Sequence, residues 1–307
     1  MGTPEFAVPS FHILVRNNFP IIGVITQPDR PRGRGQTLAP PPVKTVAEQH
    51  HLTVVQPDKL KNPEFLGFFR NLAPDLVVVA AFGQILPGEM IHYPPMGCIN
   101  VHPSLLPKYR GAAPIHWPII QGKTKTGVTI MRMDEGMDTG DIISQEKTTI
   151  EADETFGMLH DRLAKMGAEL LLSTIEMMRH GSTRAIPQDD SLATYAPRLK
   201  KDDGLIQWNS DVHRTVNLIR GLSPKPGAYT FFEKKKLKIL FAEGERAPVE
   251  GNTGEVGKET ERGLPVAAQN GYVYLKDIQL EGRKRMSVHD FLKGCRMLPG
   301  TQLGSTP

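Results

Sequence analysis

Asn100, His102 and Asp138 are of types that together could polarise a carbonyl and move a proton. Residues 98–101 read as a short buried strand, β-branched and apolar, entered from the turn at 94–97. Period-two alternation puts Asn100 and His102 on one side of that strand. Pro103 biases His102 away from helical geometry and stops the ladder, so both side chains sit at the strand's carboxyl end. Asp138 lies 36 residues beyond His102, in the loop 134–141 after a second predicted strand at 127–133. Taken as parallel, the two strands deliver all three groups to one sheet edge, where open parallel sheets bind ligands. Alone, a histidine before proline is most often structural and an Asp-Thr-Gly aspartate a turn former. The convergence is what points to chemistry. One His, one Asp and one Asn fall short of a usual metal ligand set. No Ser-His-Asp layout emerges, and Cys98 lies on the buried strand, which argues against a covalent acyl-enzyme.

The elements that must position these residues alternate along the first half of the chain. Helices are expected over 7–17, 41–50 and 63–72, the last capped by Asn62, and strands over 21–26, 53–56 and 76–81. This is the βαβ order of an α/β domain with a mostly parallel, Rossmann-like open sheet. The segment 82–87 leaves its strand at the carboxyl end, with backbone free to bond a planar heterocycle and Ile85 and Leu86 to flank one. Ser104, Leu105, Leu106 and Pro107 form a loop whose exposed leucines could wall a flat, partly apolar ligand. Residues 112–121 read as helical, with Pro118 forcing a kink or a late start. A long helix is expected from 153 to 180, with Phe156, Leu159, Leu163, Met166, Leu170 and Met178 as its apolar stripe.

Composition turns polar over 186–201, which reads as a linker between a domain at 1–185 and a second at 202–307. After a helix at 210–220, short strands near 227–233, 236–242, 253–258, 264–269 and 272–279 suggest a small barrel of the oligonucleotide-binding (OB) type. The basic excess belongs here: residues 198–307 hold 19 Lys/Arg against 13 Asp/Glu, whereas the whole chain is only +4. Lys234, Lys235 and Lys236 cluster at a predicted hairpin tip. Arg30, Arg32 and Arg34 alternate along a glycine- and proline-rich loop at 27–35 with no carboxylate after Asp29. Each cluster alone reads as solvated charge; together they suit a phosphate backbone. With 23% charged residues and no long apolar run, no membrane span is expected. The two cysteines, Cys98 and Cys295, suit a reducing cytoplasm.

Asn-Val-His-Pro-Ser-Leu-Leu-Pro-Lys-Tyr-Arg-Gly at 100–111 and Gly-Met-Asp-Thr-Gly-Asp-Ile at 136–142 resemble the two signatures of the folate-dependent formyltransferases. Gly-Thr-Pro-Glu-Phe at 2–6 and Gln-Pro-Asp-Arg-Pro-Arg-Gly-Arg-Gly at 27–35 resemble the members of that family that act on charged initiator tRNA. The resemblance implies formyl transfer from 10-formyltetrahydrofolate to an amine, with Asn100, His102 and Asp138 as catalytic residues. It places the pterin against Gly83, Gln84, Ile85 and Leu86, beside the loop of Ser104 to Pro107. It raises the arginine loop to a tRNA contact, joined by the lysine cluster, and implies no metal. A monomeric cytoplasmic enzyme is expected.

For direct transfer between two nitrogens, the carbonyl oxygen must be stabilised as it gains charge and the amine must lose a proton. Asn100 and His102 suit the oxygen; Asp138 suits orienting His102 and relaying the proton. Transfer to an amino sugar or another small amine is the alternative, and a catalytically impaired tRNA-binding protein is a third. In the family, the Gly-Thr-Pro turn follows a central apolar strand, whereas here Met1 stands directly before it. The first strand is therefore expected to be missing, leaving unpaired backbone groups on both of its neighbours.

Overall fold

The computed structural model describes residues 1–32 and 37–304, which divide into two compact units. One unit comprises 1–114, 126–148 and 160–196; the other comprises 115–125, 149–159 and 197–307. The first opens with α1 (Ala7–Arg16), β1 (Val24–Ile25), β2 (Arg30–Arg32), β3 (Thr37–Ala39), α2 (Pro42–Gln49) and β4 (Val54–Val55). It continues with α3 (Pro63–Leu72), β5 (Val77–Val79), α4 (Gly88–His92) and β6 (Cys98–His102). Asn62 caps α3 by accepting from the Glu64 N–H at 2.9 Å. The arginine segment expected as a loop is partly a ribbon, because β2 pairs antiparallel with β3 and sets Arg32 opposite Thr37.

Helix α5 (His116–Ile120) belongs to the second unit and starts late, placing Pro118 in its first turn, where a missing N–H costs little. β7 (Lys125–Arg132), β8 (Ile142–Thr149) and α6 (Phe156–Arg179) follow. β5 and β6 pair in parallel, as do β1 and β4, and β5 to β8 form one sheet in chain order. β7, however, runs antiparallel to β6, with Ile99 opposite Arg132 and His102 opposite Thr129. This corrects the parallel delivery expected of both strands. A parallel return needs a helical crossover that spans the sheet, and α5, with five residues, is only about 8 Å long.

Within the first unit, α6 lies close against β6 and β7. A Cβ on Gly167 would come within 2.9 Å of Val101 Cγ1 and 3.3 Å of a Val128 methyl. The helix's buried stripe is Leu163, Ala164, Ala168, Leu171 and Ile175, so small residues let it approach. Met166, Leu170 and Met178, expected on that stripe, are half-buried at its margins.

Met1 and Gly2 lie between β1 and β5. The Met1 amino group donates to Val78 O at 2.6 Å, Ala80 N–H to Met1 O at 3.0 Å, and Gly2 N–H to Ile25 O at 3.1 Å. A cleft of about 660 Å³ adjoins them, lined by Leu14, Ile22, Val24, Leu76 and Val78 among others.

The second unit contains α7 (Val212–Leu222), β9 (Ala228–Phe232), β10 (Lys235–Arg246), β11 (Leu264–Ala268), β12 (Gly271–Leu280), β13 (Met286–Ser287) and α8 (Val288–Gly294). Asp211 caps α7 by accepting from the His213 and Arg214 N–H groups, so the helix starts later than the expected 210. The strands form one curled antiparallel sheet in the order β11-β12-β10-β9, with β13 on β12. Register shifts near Phe241 bend β10. The stretch 253–258, expected as a strand, contributes only single bridges at Glu255 and Val256. Ile206, Trp208, Leu237, Ile239, Val266 and Phe291 centre the core of this unit.

Candidate active site

β6 sits between β5 and β7, and its burial pattern leaves Asn100 half-buried among fully buried neighbours. The Asn100 amide makes no side-chain hydrogen bond to another described residue. His102, on the same face of the strand, is only 4% exposed. Its Nε2 lies 3.1 Å from Tyr109 O. A carbonyl can only accept, so Nε2 carries the proton of the neutral ring and Nδ1 holds the lone pair. Nδ1 is 3.7 Å from Asp138 Oδ1, close enough for electrostatic coupling and too far for a direct hydrogen bond. Burial depresses the His102 pKa, against the smaller opposing pulls of Asp138 and the Tyr109 carbonyl. The ring is therefore neutral at pH 7, with its basic nitrogen facing a carboxylate.

Asp138 reaches this position by a loop. Because β7 runs antiparallel, its carboxyl end lies beside Ile99, and the segment 133–141 turns back toward His102. The Arg132 N–H donates to Asp141 O at 2.8 Å and closes the loop's base. Gly140 is confined there: a Cβ would collide with Arg132 O. Asp138 itself is left-handed, with φ 55°, a region that aspartate tolerates better than most residues. The Gly111 N–H donates to Asp138 Oδ2 at 2.8 Å. Gly111 holds φ +117°, and a Cβ there would press within 2.9 Å of Ala196 O.

The loop after β6 is pinned from within. Ser104 is buried and donates to Lys108 O at 2.6 Å; Thr129 donates to Ser104 O and accepts from the Leu106 N–H. Gln145 donates to Leu106 O and to Thr129 Oγ1. Leu106 is buried, contrary to the exposed pair of leucines expected, because these bonds draw the segment onto β7. Leu105 and Pro107 remain partly exposed. In the segment after β5, Gly83 takes φ +88°, Ile85 is 85% exposed, Gln84 is half-buried and Leu86 is buried. An exposed isoleucine beside irregular backbone fits a flat, partly apolar group, as do Leu105 and Pro107.

Gln188 carried no sequence signal beyond polarity, and Arg110 stood in the motif at 100–111 with no role assigned to it. Arg110 is buried and donates to Gln188 Oε1 and Asp190 Oδ1. Gln188 donates to Asp138 O and Gly140 O. A glutamine in a polar connection resembles any other until its partners are seen.

Of the basic residues, Arg30 is exposed and donates to Gln27 Oε1 at 3.3 Å. Arg32 is placed by its backbone in β2, and Arg34 lies outside the described residues. In the second unit Glu233 and Lys234 both have positive φ, as a two-residue hairpin turn requires. Lys234 and Lys235 are exposed, while Lys236 Nζ sits 4.0 Å above the Tyr229 ring. Among the described residues no group of three or more His, Cys, Asp or Glu side chains gathers to hold a metal ion, and no helix is long and apolar enough to cross a membrane.

Comparison with known proteins adds independent findings. A family model described as formyl transferase matches residues 2–175, and one described as formyl transferase, C-terminal domain matches 198–296. The methionyl-tRNA formyltransferase of Syntrophus aciditrophicus (strain SB) is 58% identical over 304 residues, covering 99% of this chain and 97% of the relative. That of Geobacter sulfurreducens is 48% identical over 307 residues, covering 99% and 95%. Among solved structures, the N-formyltransferase from Helicobacter canadensis with folinic acid and dTDP-3-aminofucose shares the fold at a TM-score of 0.66 and 20% identity, covering 91% of this chain and 97% of that one. HypX from Aquifex aeolicus with tetrahydrofolic acid aligns at a TM-score of 0.62 and 18% identity, over 90% of this chain and 48% of that one. With both family models matched and a 58% identical relative covered almost end to end, the chain belongs to the formyl transferase family.

Proposed function

We propose that this chain transfers a formyl group from 10-formyltetrahydrofolate to the α-amine of methionyl initiator tRNA, directly and without a covalent enzyme intermediate. The observation that carries the mechanism is the neutral His102 ring held between Tyr109 O and the Asp138 carboxylate; the near full-length relatives carry the substrates.

The bound folate supplies the formyl carbon at the oxidation level of the product. Asn100 keeps amide N–H groups available, half-exposed, to donate to the formyl oxygen as it gains charge; one such donor is worth roughly 3 to 4 kcal/mol. His102 cannot help that oxygen through Nε2, whose proton is committed to Tyr109 O. It acts through Nδ1, which accepts the proton released as the amine nitrogen bonds to the formyl carbon and then donates it to the folate nitrogen as that nitrogen's bond to the formyl carbon breaks. Asp138, 3.7 Å away, stabilises the imidazolium so formed. An α-amine titrates near pH 7.7, so freeing it at pH 7 costs only about 1 kcal/mol.

Residues 1–185, which carry β5 to β8, serve as the catalytic domain, and 186–201 as the linker after it. Residues 202–307 are the tRNA-binding domain, whose curled sheet we read as an OB-like barrel. Ser104 to Pro107 and Gly83 to Leu86 flank the folate ring, with Ile85, Leu105 and Pro107 offering the accessible apolar surface. Arg30, Arg32 and Arg34 contact the tRNA backbone, as do Lys234 and Lys235 at the β9–β10 turn and Lys236 beside it. The enzyme acts as a cytoplasmic monomer on the charged form of the tRNA.

Asn100→Ala should lower kcat roughly 100- to 1000-fold with little change in KM for charged tRNA. Asp138→Ala should likewise cripple turnover. Steady-state kinetics with formyl donor and charged initiator tRNA tests both, and near-normal kcat in either would refute the assignment. Lys234→Ala with Lys235→Ala should raise KM for tRNA and spare KM for the formyl donor. The salt dependence of tRNA binding should also flatten, by roughly 0.7 to 0.9 log units per log unit of salt for each phosphate that the variant no longer neutralises. An unchanged salt slope would remove the turn from the tRNA surface.

A further inference from the structure

Asp138 is held from two directions. The Gly111 N–H fixes its carboxylate, and the carboxamide of Gln188 fixes its backbone, donating from Nε2 to Asp138 O at 2.9 Å and to Gly140 O at 2.7 Å. The glutamine cannot turn over. Its oxygen accepts from Arg110 Nε at 3.1 Å and Nη2 at 2.8 Å, and a guanidinium only donates. Arg110 is itself locked: its side chain is 3% exposed, and its remaining ion pair goes to Asp190 Oδ1 at 2.8 Å. Backbone bonds tie the strap 186–196 to both anchoring regions. Ile186 pairs with Ile142 just beyond the Asp138 loop, while the Arg110 N–H donates to Thr194 O and the Ala196 N–H to Arg110 O.

This arrangement is more than a stabilised turn. Asp138 sits at φ 55°, outside the region a free loop prefers, with its carboxylate 3.7 Å from His102 Nδ1. A buried cation polarises the Gln188 carboxamide, which strengthens the two bonds it gives to the loop. We propose that Gln188, oriented by Arg110, is the positioning residue for Asp138: it sets the carboxylate's distance from the His102 ring without touching substrate. The proposal rests on the reading that Asp138 serves the transfer step.

Gln188→Glu separates the two halves of the clamp. The carboxylate keeps its acceptor contact with Arg110 but cannot donate, and it faces the Asp138 and Gly140 carbonyls with a like-signed oxygen. With saturating donor and charged tRNA, kcat should fall roughly ten- to hundredfold, as a displacement of about 1 Å costs in such sites. KM for both substrates and the melting temperature should stay near those of the parent. In the Asp138→Ala background the same change should produce no further loss. If Gln188→Glu melts below the assay temperature, Gln188→Met, which keeps the length of the side chain, carries the test.

An unchanged kcat in the folded variant, or a full additional loss on top of Asp138→Ala, would overturn the positioning role. Near-normal kcat in Asp138→Ala alone would instead overturn the underlying reading of the site. The two failures are therefore distinguishable.

Discussion

The contact on which the site depends is the one from His102 Nε2 to the Tyr109 carbonyl. It commits one ring nitrogen and so decides which tautomer the neutral histidine adopts. The other nitrogen is left as a buried base facing Asp138. That contact exists only because the chain folds back after β6, drawn onto β7 by the bonds among Ser104, Leu106, Thr129 and Gln145. A slack loop here would free the ring, and the pairing of base and carboxylate would disappear with it.

Two opposed demands meet at this pair. Burial drives the imidazole toward its neutral form, whereas the nearby carboxylate favours the charged one. The balance suits a group that must begin neutral, take a proton and hold it briefly. A solvent-exposed histidine would be protonated more readily at rest, and one without Asp138 would be harder to protonate. The 3.7 Å gap avoids a permanent ion pair while leaving the field of the carboxylate in place.

Much of the first unit was legible because its signals are local. Asn62 before Pro63 marked the start of α3, and the β-branched runs marked β5 and β6. Period-two alternation was enough to put Asn100 and His102 on one face. The direction of β7 was not legible, because strand polarity depends on the path of the connection and not on the composition of the strand. The leucine pair misled for a similar reason: a loop rich in proline reads as exposed until its hydrogen bonds to a neighbouring strand are known. In the second unit strands were expected at 236–242 and 272–279, within β10 and β12, but the irregular pairing of 253–258 depends on partners far along the chain.

What the sequence determined by itself was the inventory: an amide, an imidazole and a carboxylate of suitable types, with strand and helix periods to carry them. Motif order was sufficient for the family as well, since it is a property of the string of residues. Tertiary structure alone decided how the inventory is used. It set β7 antiparallel, chose the histidine tautomer through Tyr109, and placed a buried arginine and a glutamine from a distant strap behind Asp138. These are contacts between residues tens of positions apart, which no local spacing encodes and which form only when the packed chain brings their donors and acceptors together.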